Sequence, residues 1–196
     1  LCRKGAGMPV SVVSPERMER RPYARVRAAY RVAVVGLLAL MAAEIFLSTR
    51  QQSQVVDESA HLYAGWEYWK HGDFGRNPEH PPLVKLVAAA GLLSLPLKAP
   101  KPSAVPYFKA QEFTDAKAFL YTADADRLLA RGRGMLLIFS LGLALAVFGA
   151  GREMFGPEAG LLAMALACVE PVLLANGGLI TTDMGLTCTL FLSVYA

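Results

Sequence analysis

Apolar and polar residues follow one another in long blocks along this chain. A first apolar run, 32–48 (VAVVGLLALMAAEIFLS), comes after a polar leader. A mostly polar stretch continues to residue 132, and three further apolar runs occupy 134–150, 159–175 and 184–196. At 1.5 Å per residue the first run makes a helix about 26 Å long, enough to cross a thin bilayer with little tilt. The pattern predicts an all-α membrane protein. Multi-pass transmembrane helices are expected at 32–48, 134–150, 159–175 and 184–196, with a long first outer loop, 49–132, that contains amphipathic interfacial helices.

Inside that loop, 58–71 has helical spacing, with Leu62, Trp66 and Trp69 at i, i+4 and i+7. The tryptophans suit a membrane–water interface, and Gly72-Asp73 ends the helix. A second helix is expected from HPPLVK (80–85), because proline in a first turn costs no hydrogen bond. Its apolar part, 83–95, is too short to span and is expected in the interface. Residues 96–106, PLKAPKPSAVP, read as extended chain, and 123–131 as helical. GREMFGP (151–157) is a short turn between the second and third spans.

Charge then orients the chain. Only 18% of residues are charged, against about 25% in soluble domains. Arg3, Lys4, Arg17, Arg20, Arg21, Arg25, Arg27 and Arg31 all precede the first apolar run. A basic tail of this kind can bind nucleic acid, but a span directly behind it favours a cytoplasmic anchor, and no nucleic-acid partner is expected. The tail is assigned to 1–31 and the loop 49–132 to the outer side of the membrane. Arg127, Arg131 and Arg133 run against this orientation, in a loop long enough for the charge rule to weaken. Cys2, Cys168 and Cys188 have no ligand spacing and read as structural. The long leader and the lack of a small-residue cleavage site argue against a secretory signal. Beginning at Leu1 and breaking off inside an apolar run, the sequence is expected to be the N-terminal part of a longer protein.

Candidate chemistry crowds into 55–85, which holds His61, His71 and His80 together with Asp57, Glu58 and Glu79. Asp57 and Glu58 stand where the chain leaves the bilayer and a helix begins. Aspartate there is a preferred cap, and a carboxylate at a membrane rim can also take a proton from an acceptor hydroxyl. Glu79-His80 reads as a solvated turn or as two ligands of a divalent metal that needs a third from elsewhere. His61 and His71, ten residues apart, lie about 15 Å from one another on a helix and cannot share a metal; His71 reads as surface. Asp183, in TTDM (181–184), caps the last helix or borders a cavity on the same face as Asp57. Lys85, Arg131 and Arg133 add positive charge for a phosphate. Glu44 is an intramembrane acid near the outer end of the first run, functional or snorkelling. No nucleotide-binding loop is visible.

The order DExxHxxxGxxY (57–68), GDF…NPEHPPLVKL (72–86), FGPEAGLLA (155–163) and LITTDM (179–184) resembles the N-terminal part of bacterial membrane glycosyltransferases. These belong to the dolichyl-phosphate-mannose protein mannosyltransferase family, of GT-C fold, to which lipid A aminoarabinose transferases are related. The resemblance runs from about Arg31 to the end. It implies transfer of a sugar from a polyprenyl-phosphate donor to a hydroxyl of a protein, lipid or glycan acceptor on the outer face, with inversion. It also implies Asp57, with Glu58 beside it, as the catalytic pair, and Glu79 and His80 near a donor phosphate or metal. Asp183 matches the acidic position of the second outer loop. His61, Lys85, Asp183, Arg131 and Arg133 are the expected substrate-binding residues. His80 stands where the aminoarabinose branch has lysine, which argues against that sugar. Asn176-Gly177-Gly178-Leu179 lacks a basic pair found in many relatives. A non-enzymatic rival is a receptor or transport subunit whose outer loop binds a metal or partner.

Overall fold

The computed structural model describes residues 15–105 and 107–196, with side chains given from residue 26 onward. Residues 1–14 of the expected basic tail lie outside the described residues. Eight helices are described: α1 (Pro15–Thr49), α2 (Val56–His71), α3 (Pro82–Ala90), α4 (Phe108–Tyr121), α5 (Ala125–Phe155), α6 (Pro157–Cys168), α7 (Pro171–Asn176) and α8 (Asp183–Tyr195). There is no strand among the described residues, and the chain is an all-α membrane protein.

Two helices are long and apolar enough to cross a bilayer: Val26–Thr49 of α1 and Ala125–Phe155, the whole of α5. At 31 residues, α5 is about 46 Å long, well beyond a hydrocarbon core of about 30 Å. The expected helical segment 123–131 is the beginning of this helix rather than a separate one. Aliphatic side chains such as Val32, Val35, Ile138 and Leu162 point outward along the spans, as a lipid-facing surface requires. Glu44 is half-buried in α1, its Oε2 without a partner among the described residues.

The expected third span, 159–175, is interrupted. Pro171 has no N–H, and in a continuous helix its ring would meet the carbonyl four residues back. The chain stops at Cys168 and restarts at Pro171, where the Glu170 side chain accepts the Leu173 N–H at 2.7 Å. Between α5 and α6 the backbone turns at Gly156, whose φ of 96° suits glycine, and Pro157 opens α6. A Cβ on Gly160 would press on the backbone of Phe148 and Arg152, so α5 and α6 cross at backbone contact.

Between the two long helices, α2 is enclosed from Glu58 to Tyr68, between α3 and α4 with α5 beneath. Trp66 is buried, and only Trp69 of the two tryptophans is exposed, donating to the Leu86 carbonyl at 2.9 Å. The close approach is possible because residue 65 is glycine: a Cβ there would collide with the Lys85 carbonyl. Leu62, Tyr63 and Trp66 meet Val84, Ala88 and Leu92 of the α3 region, Phe119 of α4 and Leu128 of α5 in one core. A second core, inside the spans, joins Met41 and Ile45 of α1 to Ala144 of α5 and Met164 of α6.

Candidate functional site

The α2 N-terminus is where the chain re-enters structure after α1, and its orphan N–H groups need partners. Glu58 supplies one. Its Oε2 accepts the Val55 N–H at 2.8 Å, the glutamate half of a capping box. The same carboxylate is 0% exposed and receives Arg133 twice, Nε to Oε1 at 2.8 Å and Nη2 to Oε2 at 2.7 Å. Oε1 also accepts the Ile180 N–H at 3.1 Å. Arg133 uses its remaining donors on the carbonyls of Thr49, Gln52 and Ser53, at 2.6, 3.0 and 2.9 Å. All five guanidinium N–H groups are thus engaged, and both carboxylate oxygens accept twice. One ion pair ties the end of α1, the start of α2, the body of α5 and the loop before α8.

This corrects two expectations. Glu58 has no lone pair left for an acceptor proton, and Arg133 has no donor left for a phosphate; both are structural. Asp57 is the contrast. It is exposed on the first turn of α2, where negative charge is favoured, and has no hydrogen-bond or ion-pair partner among the described residues. The helix cap is Val55, so Asp57 does not fill that role either.

His61 lies one turn along the same face. Its Nδ1 donates to the Ile180 carbonyl at 2.9 Å, which leaves Nε2 as the lone-pair nitrogen; Nε2 is buried and has no partner among the described residues. Burial pushes its pKa down, assisted by His80 and Lys85 and opposed by the Ile180 carbonyl and Asp57, so the ring is neutral at pH 7. The His80 ring meets it edge-on, 5.0 Å between centroids. Because Ile180 is bonded to both Glu58 and His61, the loop 177–182 is clamped against α2. Asp183 follows Ile180 by three residues and opens α8. It too is exposed. The Thr181 hydroxyl beside it is buried without a partner among the described residues.

The turn at 72–82 is stitched together rather than open. Lys85 is 0% exposed, and its ammonium donates to the carbonyls of Asn77 and His80 and to the Tyr68 hydroxyl. Burial pushes it down to about 8, against the pull of Glu112, so it remains mostly protonated at neutral pH. The Tyr68 hydroxyl in turn donates a hydrogen bond to the Arg76 carbonyl at 2.5 Å. Asn77, in a left-handed conformation, donates to Glu112 at 2.6 Å, and Arg76 approaches Asp115 at 3.4 Å. Lys85 therefore holds the turn and does not face a substrate. Glu79 is exposed and paired with Lys109, whose ammonium draws its carboxyl below the usual range. Among the described residues no three His, Cys, Asp or Glu side chains are placed to hold a metal ion. A metal role for Glu79 and His80 would need its third ligand from outside the described residues. His71 is exposed and pairs with Glu67 at 2.7 Å.

Arg131 and Arg133 leave α5 on nearly opposite sides, two residues being about 200° of helix. Arg131 donates to the Gly91 carbonyl at 3.2 Å and the Ser94 hydroxyl at 2.8 Å, fastening the end of α3 rather than joining the rim. On the far side of the Arg133 knot a cleft of about 490 Å³ opens between α1 and α5, with Arg50, Arg127, Asp124 and Asp126 on its lip.

Of the residues the sequence singled out, His61 and His80 meet ring to ring, and Asp57 stands one turn before His61 on α2. Sequence reasoning missed that Ile180 is the clamp and that Asn77, Glu112 and Asp115 form a buried network. Arg133, the cation nearest the apolar run 134–150, was the one signal that an acid elsewhere had to meet it. The family model for dolichyl-phosphate-mannose-protein mannosyltransferase matches residues 34–196. No curated protein and no solved structure matches the chain.

Proposed function

The chain belongs to the dolichyl-phosphate-mannose-protein mannosyltransferase family, membrane glycosyltransferases, and from that premise we propose that Asp57 is the base of an inverting sugar transfer from a polyprenyl-phosphate donor. The observation that carries this is the division of labour between neighbouring carboxylates. Glu58 is consumed by Arg133 and two N–H groups, whereas Asp57 is exposed and unpartnered among the described residues.

An acceptor hydroxyl arriving from the aqueous side gives its proton to Asp57 while its oxygen attacks the anomeric carbon. The bond from that carbon to the phosphate oxygen breaks, and the electron pair leaves with the polyprenyl phosphate. The configuration inverts. A general base of this type contributes about 10²–10⁴-fold. His61, neutral with Nε2 as acceptor, and Asp183 are the neighbouring groups that would orient hydroxyls of acceptor or sugar. Of the cations expected to meet the phosphate, Lys85 and Arg133 are spent within the fold, and Arg131 holds α3. We place this rim on the outer face of the membrane, with a hydroxyl of a protein, lipid or glycan as acceptor. The inner faces of α2, α3 and α4 are built into the helical core, which favours a catalytic wall over the free-standing loop of a receptor.

The test is sugar transfer by the full-length protein in membranes from a polyprenyl-phosphate sugar, comparing Asp57→Asn with the parent. Transfer should fall by about 10²-fold or more while the unfolding midpoint stays unchanged. Near-parental turnover by Asp57→Asn would overturn the assignment.

A further inference from the structure

At the opposite end of the two spanning helices, a groove of about 890 Å³ opens between the first half of α1 and the turn joining α5 to α6. Its floor is apolar, from Val26, Val34, Val35 and Phe148, and its lip carries Arg27, Arg31 and Arg152. All three arginines are exposed, and none has a side-chain hydrogen bond or ion pair among the described residues. Among the described residues no carboxylate lines the groove itself; Glu158 stands beside it, accepting the hydroxyl of the lining Tyr30 at 2.5 Å, and Glu153 accepts the Tyr195 hydroxyl at 2.5 Å.

Position along the helices fixes where this groove sits. Arg27 is 22 residues from Thr49 on α1, about 33 Å, and Arg152 is 19 residues from Arg133 on α5, about 28 Å. A hydrocarbon core is about 30 Å thick. The three guanidiniums therefore stand at the membrane interface opposite the Asp57 rim, directly above aliphatic walls. We propose that the groove binds one anionic phospholipid, its phosphate among Arg27, Arg31 and Arg152 and its acyl chains along Val34, Val35 and Phe148.

The charge count selects the ligand. The cleft beside Arg133 has two arginines on its lip matched by two aspartates. Among the described residues the groove at the far end is lined by three arginines with Glu158 beside it on Tyr30, so its net charge is positive and it repels the ammonium of a zwitterionic headgroup. Guanidinium forks meet phosphate oxygens two at a time, and basic pockets between spans at an interface hold anionic headgroups by this combination of charge and apolar wall.

The experiment uses the full-length protein in nanodiscs of phosphatidylcholine with and without phosphatidylglycerol. Native mass spectrometry reads retained lipid, and thermal unfolding reads stabilisation. The parent should retain phosphatidylglycerol in preference to phosphatidylcholine and melt higher with it. The triple variant Arg27→Gln/Arg31→Gln/Arg152→Gln should hold it roughly a hundredfold more weakly. Substituting lysine at the same three positions should restore most of the retention, and Arg50→Gln/Arg127→Gln should leave it unchanged. Parental retention by the triple glutamine variant, equal loss in the Arg50/Arg127 variant, or displacement of phosphatidylglycerol by soluble glycerol phosphate would each overturn the proposal.

Discussion

Replacing Arg133 by methionine keeps the aliphatic reach of the side chain and removes all five donors of the knot. The carboxylate of Glu58, 0% exposed, would then be left with the N–H groups of Val55 and Ile180 alone. The carbonyls of Thr49, Gln52 and Ser53 would lose their partner as well. Removing one member of a buried ion pair costs about 3–5 kcal/mol, because the survivor stays charged in a poor solvent. Glu58→Gln is milder, since one amide oxygen still accepts, though its NH₂ now faces a donor. The double variant Glu58→Gln/Arg133→Met strands no charge and should cost clearly less than the two singles combined, a coupling of about 1–3 kcal/mol. Reversible unfolding of the full-length protein in mixed detergent micelles measures all four corners of the cycle. If Arg133→Met lies within about 0.5 kcal/mol of the parent, the range of an ordinary surface change, or if the two single costs simply add, the knot is not what holds the rim together.

Two further outcomes are expected. Lys85→Met leaves the carbonyls of Asn77 and His80 without their donor, at about 1–3 kcal/mol, and should open the turn at 72–82 to limited proteolysis; unchanged cleavage would count against its role as the pin of that turn. The depressed pKa of His61 makes the unfolded chain bind more protons than the folded one below pH 6.5, the ordinary value, so stability is full above that pH and declines on acidification toward the lower native value. Unfolding midpoints between pH 7 and 5 should show that slope, and His61→Gln, which can still donate to Ile180, should flatten it; a slope identical in both proteins would contradict the assignment.

The hydrophobic pattern located both long spans because burial in lipid needs little more than length and apolar content. It was less informative where partners are distant in sequence. Asp57 and Glu58 look alike as neighbours, and only Arg133, 75 residues away, separates them. Lys85 looked like a phosphate ligand because its acceptors are backbone carbonyls, which carry no residue code. The enclosure of α2 was hidden for a similar reason: its covering surface comes from α3, α4 and α5, while its own sequence mixes Glu58, His61 and Glu67 among the apolar residues. Pro171 was a visible break inside an apolar run, and chain chemistry at that position outweighs hydropathy.

The knot at Arg133 also sets an order of events during synthesis. Glu58 is made first, Arg133 follows 75 residues later and the Ile180 N–H 122 residues later. Until the start of α5 has been made, the first turn of α2 carries a carboxylate with no counterion. Until the segment before α8 follows, one acceptor site of that carboxylate is open too. The first turn of α2 is therefore among the earliest parts of the chain to be made and among the last to be locked.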